Sequence, residues 1–178
     1  MRHRPKLLTP SLVAQALAIL AVCLSACATI PPGGRGIEGV VVHAGVEAVL
    51  SLQRDGYTRA VLGSERVVLQ LDRIPGALVA VKGDLLGDDR VRVRTFKLLD
   101  PGDGLSPMVG SLIVDQAGVV IEDENTGTSL LLRGKAIADL KRHHGGRVWV
   151  TGSVIGPRQV LVAHWGLLLT STEVEQLH

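Results

Sequence analysis

Residues 39–99 and residues 110–168 of this 178-residue chain form an internal repeat. Glycines, turns and apolar positions recur together, first at a spacing of 71 residues and then, after a two-residue contraction, at 69. The matching segments are Gly39–Val42 with Gly110–Ile113, Val61–Gly63 with Leu132–Gly134, Val81–Gly83 with Val150–Gly152, and Val91–Phe96 with Val160–Trp165. Agreement over about 60 residues indicates a duplication, so a fold that suits one copy must also suit the other.

Each copy contains short apolar strands separated by turn residues. The first copy has a predicted hairpin through Asp55-Gly56, a pair that accepts the positive φ of a tight turn, and the second has one through Asn125 to Gly127. The predicted strands cover residues 46–53, 59–62, 78–82 and 90–96 in the first copy, and residues 119–122, 129–132, 147–151 and 160–165 in the second.

A more helical piece lies between the hairpin and the last two strands of each copy. It is clearest over residues 136–143, where apolar residues at helical spacing are followed by basic residues and by Gly145, a C-cap candidate. The equivalent stretch of the first copy, residues 65–73, is richer in valine and is also compatible with a strand.

Three strands, a short helix and two strands within about 60 to 70 residues resemble the OB-fold, a five-stranded Greek-key barrel. The resemblance rests on this pattern and implies an all-β fold with short helices. It predicts two tandem OB-like barrels, over residues 37–100 and 108–172, joined by a linker over residues 101–107. Because one barrel of this size buries little surface, we expect the two to pack against each other. A single mixed β-sandwich or meander is the alternative architecture.

The first 26 residues have the pattern of an export signal. Basic residues precede an apolar segment, residues 12–26, that is too short to span a bilayer as a permanent helix. Leu24-Ser25-Ala26-Cys27 resembles the lipobox of bacterial lipoproteins. We therefore predict an N-terminal signal helix over residues 1–26 and a tether, rich in Pro and Gly, over residues 27–36. An ordinary signal peptide, or an uncleaved short helix, with an incidental cysteine is the alternative.

The lipobox resemblance implies a covalent lipid on Cys27. In that family the cysteine thiol is joined to diacylglycerol, the signal is removed, and the new amine is acylated with a fatty acid such as palmitate. More than one acyl chain anchors a protein stably without a transmembrane helix. Ala28 follows the cysteine where an aspartate would retain a family member in the inner membrane. We therefore expect the protein on the outer membrane, facing the periplasm.

Removal of the signal changes the charge and the cysteine content of the chain. The mature chain has 16 Lys and Arg against 17 Asp and Glu, a net charge of −1, which argues against a nucleic-acid partner. Cys23 leaves with the signal and Cys27 carries lipid, which excludes a cysteine nucleophile, a disulfide and a Cys-ligated metal. The four aromatic residues are few for a site that stacks sugars or bases.

Alternation along the last strand of each copy separates an inner from an outer face. The residues predicted to face the interior are Val91, Val93 and Thr95 in the first copy and Val160, Val162 and His164 in the second. Arg90, Arg92 and Arg94 then lie in line on the outer face, where they are candidates to bind an anionic sugar, a lipid headgroup or a phosphate. A solvated face that discourages edge aggregation is the alternative, which we favour.

Trp149 and Trp165 are the other candidate binding residues. Both are predicted on the outer face of the second copy, where they and Leu161 would form an apolar patch suited to a ligand. Burial between the two repeats is the alternative use of these side chains, and we favour it.

No residue pattern marks a catalytic or metal site. His143 and His144 are adjacent and so do not share a helix face, and no H-x-x-x-H, H-E-x-x-H or phosphate-loop motif occurs. The carboxylates at positions 122–124 are interpreted as a solvated turn. We therefore predict no catalytic residue, no metal and no cofactor apart from the lipid on Cys27.

These observations predict a non-enzymatic outer-membrane lipoprotein that binds or scaffolds in the periplasm. Its expected partners are the membrane, through the lipid, and an envelope glycan or envelope protein. An envelope enzyme or metal-dependent factor that uses His143, His144 or His164 is the alternative. In OB-folds the loops after the first and fourth strands flank the ligand face. The corresponding loops here are residues 43–45, 87–89, 115–118 and 156–158.

Overall fold

The computed structural model describes residues 36–44, 47–52 and 56–177. The predicted signal, Cys27 and all of the tether except Gly36 lie outside these residues. The described residues form one compact unit. Within the described ranges, no helix has the length and apolar character needed to cross a membrane.

The two copies have the same order of elements. The first copy contains β1 (Ile37–Ala44), β2 (Glu47–Leu52), β3 (Thr58–Leu62), α1 (Glu65–Asp72), β4 (Leu78–Leu85) and β5 (Arg90–Asp100). The second contains β6 (Met108–Asp115), β7 (Gly118–Asp123), β8 (Ser129–Arg133), α2 (Ile137–Leu140), a 3-10 turn (Lys141–His143), β9 (Arg147–Gly156) and β10 (Gln159–Leu169). A final helix, α3 (Ser171–Gln176), follows the second copy.

Each copy closes into a five-stranded ring. The strand order is β1-β2-β3-β5-β4 in ring 1 and β6-β7-β8-β10-β9 in ring 2, and the ring is closed by pairing of β1 with β4 and of β6 with β9. Neighbouring strands are antiparallel except for β3 with β5 and β8 with β10, which are parallel. The predicted fold class is confirmed: the described chain is mostly β, with short helices and two OB-like rings in tandem.

Helix α1 is the segment for which a strand was also compatible with the sequence. Ser64 precedes it, and its hydroxyl accepts the Val67 N–H, which caps the first turn. Val67 and Leu71 are one turn apart and are both buried, so the valine-rich stretch has a helical period. In ring 2 the equivalent α2 is a single turn that continues as the 3-10 turn, shorter than the predicted helix.

A β-bulge interrupts the last strand of each ring. In β5, Gly83 pairs with Val93 and Lys82 pairs with Thr95, so Arg94 is the extra residue. In β10, Gly152 pairs with Val162 and Thr151 pairs with His164, so Ala163 is the extra residue. One extra residue exchanges the inner and outer faces for the residues that follow it, as far as the next register shift, which lies at Leu99 in β5 and at Leu168 in β10.

The bulges correct the predicted faces of three residues. Thr95 and His164, predicted inside, are exposed, because each follows the extra residue of its strand. Trp165, predicted outside, packs against the core of ring 2 for the same reason. The valines that precede the bulges are buried as predicted; they are Val91, Val93, Val160 and Val162.

The hydrophobic core of ring 1 includes residues from ring 2. Leu50, Leu71 and Val79 of ring 1 belong to one buried cluster with Val109 and Leu168 of ring 2. Leu168 lies near the end of β10 and is fully buried. The core of ring 2 is a separate cluster of ring 2 residues, with Leu112, Ile121, Leu132 and Leu140 fully or almost fully buried. The two rings therefore share buried surface, as expected from their small size.

An ion pair joins the rings beside this shared core. Arg73, at the C-terminus of α1, donates two hydrogen bonds to the Glu173 carboxylate of α3, at 2.7 and 2.8 Å, and a third to the Leu168 carbonyl at 3.1 Å. Glu173 also forms a capping box with Thr170. The Arg73 guanidinium, reinforced by Thr170, lowers the pKa of Glu173 to about 2, against the opposing effect of burial.

We expect this ion pair to make stability depend on acid pH. Glu173 titrates near its ordinary pKa of 4.5 in the unfolded chain and at about 2 in the folded protein. Its contribution to stability is therefore complete above pH 4.5 and is lost as the pH falls to about 2. Glu173→Gln should remove this dependence and lower the free energy of unfolding at pH 7 by about 1 to 3 kcal/mol. Urea unfolding measures the free energy of unfolding of the wild type and of Glu173→Gln across this pH range. A difference between the two proteins that stays constant with pH would contradict the expectation.

Candidate functional site

Three adjacent cavities form a groove along β5, bordered by α1 and by ring 2. The central cavity, of about 330 Å³, is lined from ring 1 by Ser64, Arg66, Val67, Gln70, Arg94, Thr95 and Phe96, and from ring 2 by Glu124 and Arg147. A cavity of about 400 Å³ shares Ser64 and Arg94 with it and extends to Leu62 and Arg92. A third, of about 120 Å³, shares Phe96, Glu124 and Arg147 and extends to Asn125 and Leu168. We call the three together the inter-ring groove.

The bulge in β5 brings two consecutive side chains, Arg94 and Thr95, into the inter-ring groove. In a regular strand they would face opposite sides of the sheet. The bulge requires close approach of two backbones, because a Cβ atom on Gly83 would lie 1.9 Å from the Arg92 carbonyl oxygen. Glycine at position 83 therefore permits the local geometry that gives the groove one of its cations.

The N-terminus of α1 supplies a second positive element. Ser64 and Arg66 both line the central cavity. The helix dipole is positive at this end. It is offset by Glu65 in the first turn, and Ser64 already accepts the Val67 N–H, so Arg66 is the positive group that this end offers. Arg66 forms no ion pair with any residue that the structure describes, so its charge is available to an anion in the groove.

Ring 2 contributes a fixed wall to the groove. The Arg147 guanidinium binds both oxygens of Glu124, at 2.6 and 2.7 Å, and also donates to the Gln70 side chain of ring 1. Gln70 in turn donates to the Arg66 carbonyl at 2.8 Å. Arg147 and Glu124 therefore neutralise each other's charge, and the hydrogen bond from Arg147 to Gln70 links this side of the groove to α1.

The electrostatic balance of the groove is positive. With Arg147 neutralised by Glu124, the central cavity keeps the charges of Arg66 and Arg94. Arg94 is paired with Asp84 at 2.5 Å, but its side chain is 68% exposed. An ion pair as exposed to water as this one contributes little to stability. Arg94 can therefore exchange Asp84 for an anionic ligand at a small cost in free energy.

The structure brings two of the three predicted arginines to this groove. Arg94 lines two of the cavities and Arg92 lines one. Arg90 lies at the start of β5, is exposed, and is 3.5 Å from Asp89. Arg90, Arg92 and Arg94 are all solvated, as in the alternative that we favoured, but only Arg92 and Arg94 border a concave surface.

The two tryptophans do not form a patch with Leu161. Trp149 is half-buried against the core that the rings share, and it covers Gly166 on the neighbouring strand, where an added Cβ would lie 2.5 Å from the indole Nε1. Trp165 packs against the core of ring 2, with its ring 5.3 Å from that of His143. Leu161 is 46% exposed. Trp149 and Trp165 therefore serve packing in this structure.

The histidines named as alternative functional residues lie in separate environments. His164 Nδ1 is 2.9 Å from Asp103, which also accepts the Thr151 hydroxyl at 2.5 Å. The Thr151 hydrogen bond, then those of the Leu105 N–H and His164, hold the pKa of Asp103 below its usual value despite burial. His144 Nδ1 accepts the Val114 N–H, while His143 contacts Trp165.

The acidic turn at residues 122–124 is solvated as predicted at Glu122 and Glu124 but not at Asp123. Asp123 is buried rather than solvated, because it accepts the Thr126 hydroxyl at 2.7 Å and the Asn125 N–H at 3.3 Å. Glu124 is held by Arg147. In the part of the chain that is described, no three His, Cys, Asp or Glu side chains are arranged to hold a metal ion.

Among the residues of the inter-ring groove that sequence reasoning missed are Arg66, Gln70 and Arg147. They come from α1 and from the start of β9, and only the packing of the two rings places them beside β5. Of the predicted OB-type ligand loops, none of the residues that the structure describes lines the three cavities. The one local signal was the isolated glycine in each fourth strand, which is typical of a bulge or a close backbone approach.

Comparison with known proteins assigns no family to the chain. No protein-family model matches it, and no curated protein is significantly similar to it.

Proposed function

We propose that this protein is a non-enzymatic, lipid-anchored protein of the outer membrane that holds a glycan or protein of the envelope in the periplasm. The observation that carries the proposal is the inter-ring groove. It is open, it lies where the two rings meet, and it presents Arg66 and Arg94 without a buried counter-charge. Such a surface suits the capture of an anionic partner.

The anchor in this proposal rests on the N-terminal sequence. A basic start, a short apolar segment and Leu24-Ser25-Ala26-Cys27 resemble a lipoprotein signal. The Pro- and Gly-rich residues between Cys27 and β1 would then tether the ring pair to the membrane surface. A binding protein anchored in this way acts on partners that lie within reach of one membrane.

The arrangement around His164 favours binding over catalysis. A hydroxyl nucleophile needs a base that takes its proton. Here Asp103 lies between the Thr151 hydroxyl and the imidazole of His164. The hydroxyl therefore donates to the Asp103 carboxylate and not to the imidazole. This geometry fixes the segment that joins the rings, since Asp103 belongs to that segment and Thr151 and His164 belong to ring 2.

Replacement of the anchor cysteine tests the location. We expect Cys27→Ser to move the protein from the membrane fraction to the soluble periplasmic fraction, because the hydroxyl cannot carry the thioether-linked lipid. Cys23→Ser is the matched control, since Cys23 lies inside the predicted signal and should leave the membrane fraction unchanged. Detergent phase partitioning and cell fractionation measure both. A Cys27→Ser protein that stays with the membrane after signal cleavage would refute the lipid anchor.

Recovery of the partner tests the binding role. The native, lipid-anchored protein is cross-linked in its own envelope and purified with whatever it holds. One stoichiometric envelope protein supports scaffolding, and a glycan supports carbohydrate binding. Elemental analysis of the same preparation addresses the alternative function, because a stoichiometric metal ion would favour a metal-dependent factor over a binding protein.

A further inference from the structure

We infer that the inter-ring groove is a binding site for an acidic saccharide, whose carboxylate or phosphate group is held between Arg66 and Arg94. The inference rests on the proposed function in one respect: an exported protein meets such polymers in the envelope. It goes further by naming the residues and the chemistry of the ligand.

Two arginines that line the central cavity, Arg66 and Arg94, are the reason to expect an acidic group on the ligand. Arginine presents a planar fork of N–H donors that matches both oxygens of a carboxylate or phosphate. Arg66 has no ion pair within the described residues, and Arg94 has only the exposed pair with Asp84. An anion placed there gains two partners while one exposed ion pair is lost.

The size of the central cavity and the uncharged residues that line it are the reasons to expect a saccharide. A volume of about 330 Å³ is that of a small-molecule site, larger than an isolated ion needs. Ser64 and Thr95 bring hydroxyl groups to this space, and Phe96 brings one apolar face. The Thr95 hydroxyl makes no hydrogen bond with the described residues, so it is available to a ligand. Hydroxyls beside an aromatic face suit a polyol that carries one acidic group.

The groove is long enough for more than one sugar unit. The cavity of about 400 Å³ continues past Ser64 and Arg94 toward Arg92, which is exposed and forms no ion pair with any residue in the described ranges. Arg92 and Arg94 are two residues apart along β5. A saccharide chain with an acidic group on successive sugar units would therefore meet successive cations. From ring 2 the central cavity is bordered by the Arg147–Glu124 pair, which carries no net charge.

Calorimetric titration of the full-length protein in detergent tests the inference. The probes are trigalacturonate, which carries carboxylates, glucose 6-phosphate, neutral galactotriose and inorganic phosphate. We expect trigalacturonate or glucose 6-phosphate to bind, and the acid that binds identifies the source of the anion. Arg66→Ala combined with Arg94→Ala should weaken that binding at least tenfold, and Arg94→Lys should give an intermediate loss because lysine lacks the fork.

Arg142→Ala is the matched control for Arg94→Ala. Each arginine is exposed and paired with one aspartate at 2.5 Å, but Arg142 lies in the 3-10 turn of ring 2 and lines none of the three cavities. It should leave binding unchanged. Circular dichroism and the urea midpoint check that every variant is folded.

Several results would overturn the inference. They are absence of binding by either acidic probe, equal binding of galactotriose, binding of inorganic phosphate as tight as that of glucose 6-phosphate, and equal loss in Arg142→Ala. None of these outcomes changes the fractionation of Cys27→Ser, so failure of the groove and failure of the lipid anchor are separate results.

Discussion

Gly152→Ala should unfold ring 2. Gly152 lies in β9 opposite the bulge of β10, and a Cβ atom at this position would lie 2.1 Å from the Leu161 carbonyl oxygen. The clash is with backbone on a paired strand, so no side-chain rotation relieves it. Separation of the two strands would break the β9–β10 ladder and open the ring. We expect the free energy of unfolding to fall by at least about 3 kcal/mol.

Gly156→Ala is the control for this substitution. Gly156 ends the same strand, its φ lies outside the left-handed range, and the nearest atom to an added Cβ is Gln159 Cβ at 4.0 Å. Its effect should be within about 0.5 kcal/mol. Urea unfolding followed by far-ultraviolet circular dichroism compares the two variants. Equal stability of Gly152→Ala and Gly156→Ala would show that the bulge in β10 tolerates a side chain opposite it.

Leu168→Ala should destabilise both rings, although the residue belongs to ring 2. Leu168 is fully buried in the cluster that forms the core of ring 1, and its carbonyl accepts a hydrogen bond from Arg73. Alanine would leave a cavity at the junction, with an expected loss of about 2 to 5 kcal/mol. The backbone hydrogen bond to Arg73 should survive, so the loss reports packing.

Leu161→Ala separates this effect from a general effect of leucine in β10. Leu161 lies in the same strand and is 46% exposed, so its removal should cost no more than about 0.5 kcal/mol. In the wild type, tryptophan fluorescence and circular dichroism should give one coincident urea transition, because the rings share a core. Two separate transitions in the wild type would mean that Leu168 does not couple the rings.

The ring architecture was predictable because its signals are local and occur twice. Strand phase, turn residues and the order of elements agreed between the copies, so each copy supported the interpretation of the other. The helix at residues 65–72 was harder, because its valines favour a strand and only the Ser64 cap and the spacing of Val67 and Leu71 indicate a helix.

The faces of β5 and β10 were predicted correctly only as far as the bulges. Alternation assumes an unbroken ladder, and one extra residue reverses it. Val91 and Val93 precede the extra Arg94 and fit the pattern, while Thr95 follows it and does not. The cause lies on the neighbouring strand, at Gly83, and a pattern read along one strand does not include its partner.

The inter-ring groove was predictable only in part. Arg92 and Arg94 were candidates because they stand together on one strand. Arg66 and Arg147 are distant from them in the sequence and from each other, and no periodicity joins them. Their meeting depends on how the two rings pack, which is set by long-range contacts such as Leu168 in the core of ring 1.

The paired bulges have a consequence for how such a protein can change over evolutionary time. The same backbone irregularity displays an arginine and a threonine in one copy and an alanine and a histidine in the other. The hydrogen-bonded frame depends on the glycine opposite, not on the side chains displayed. After a duplication, the side chains displayed at the bulge of one ring can therefore change without loss of the backbone frame. One ring can acquire a new binding surface while the other ring continues to stabilise the fold.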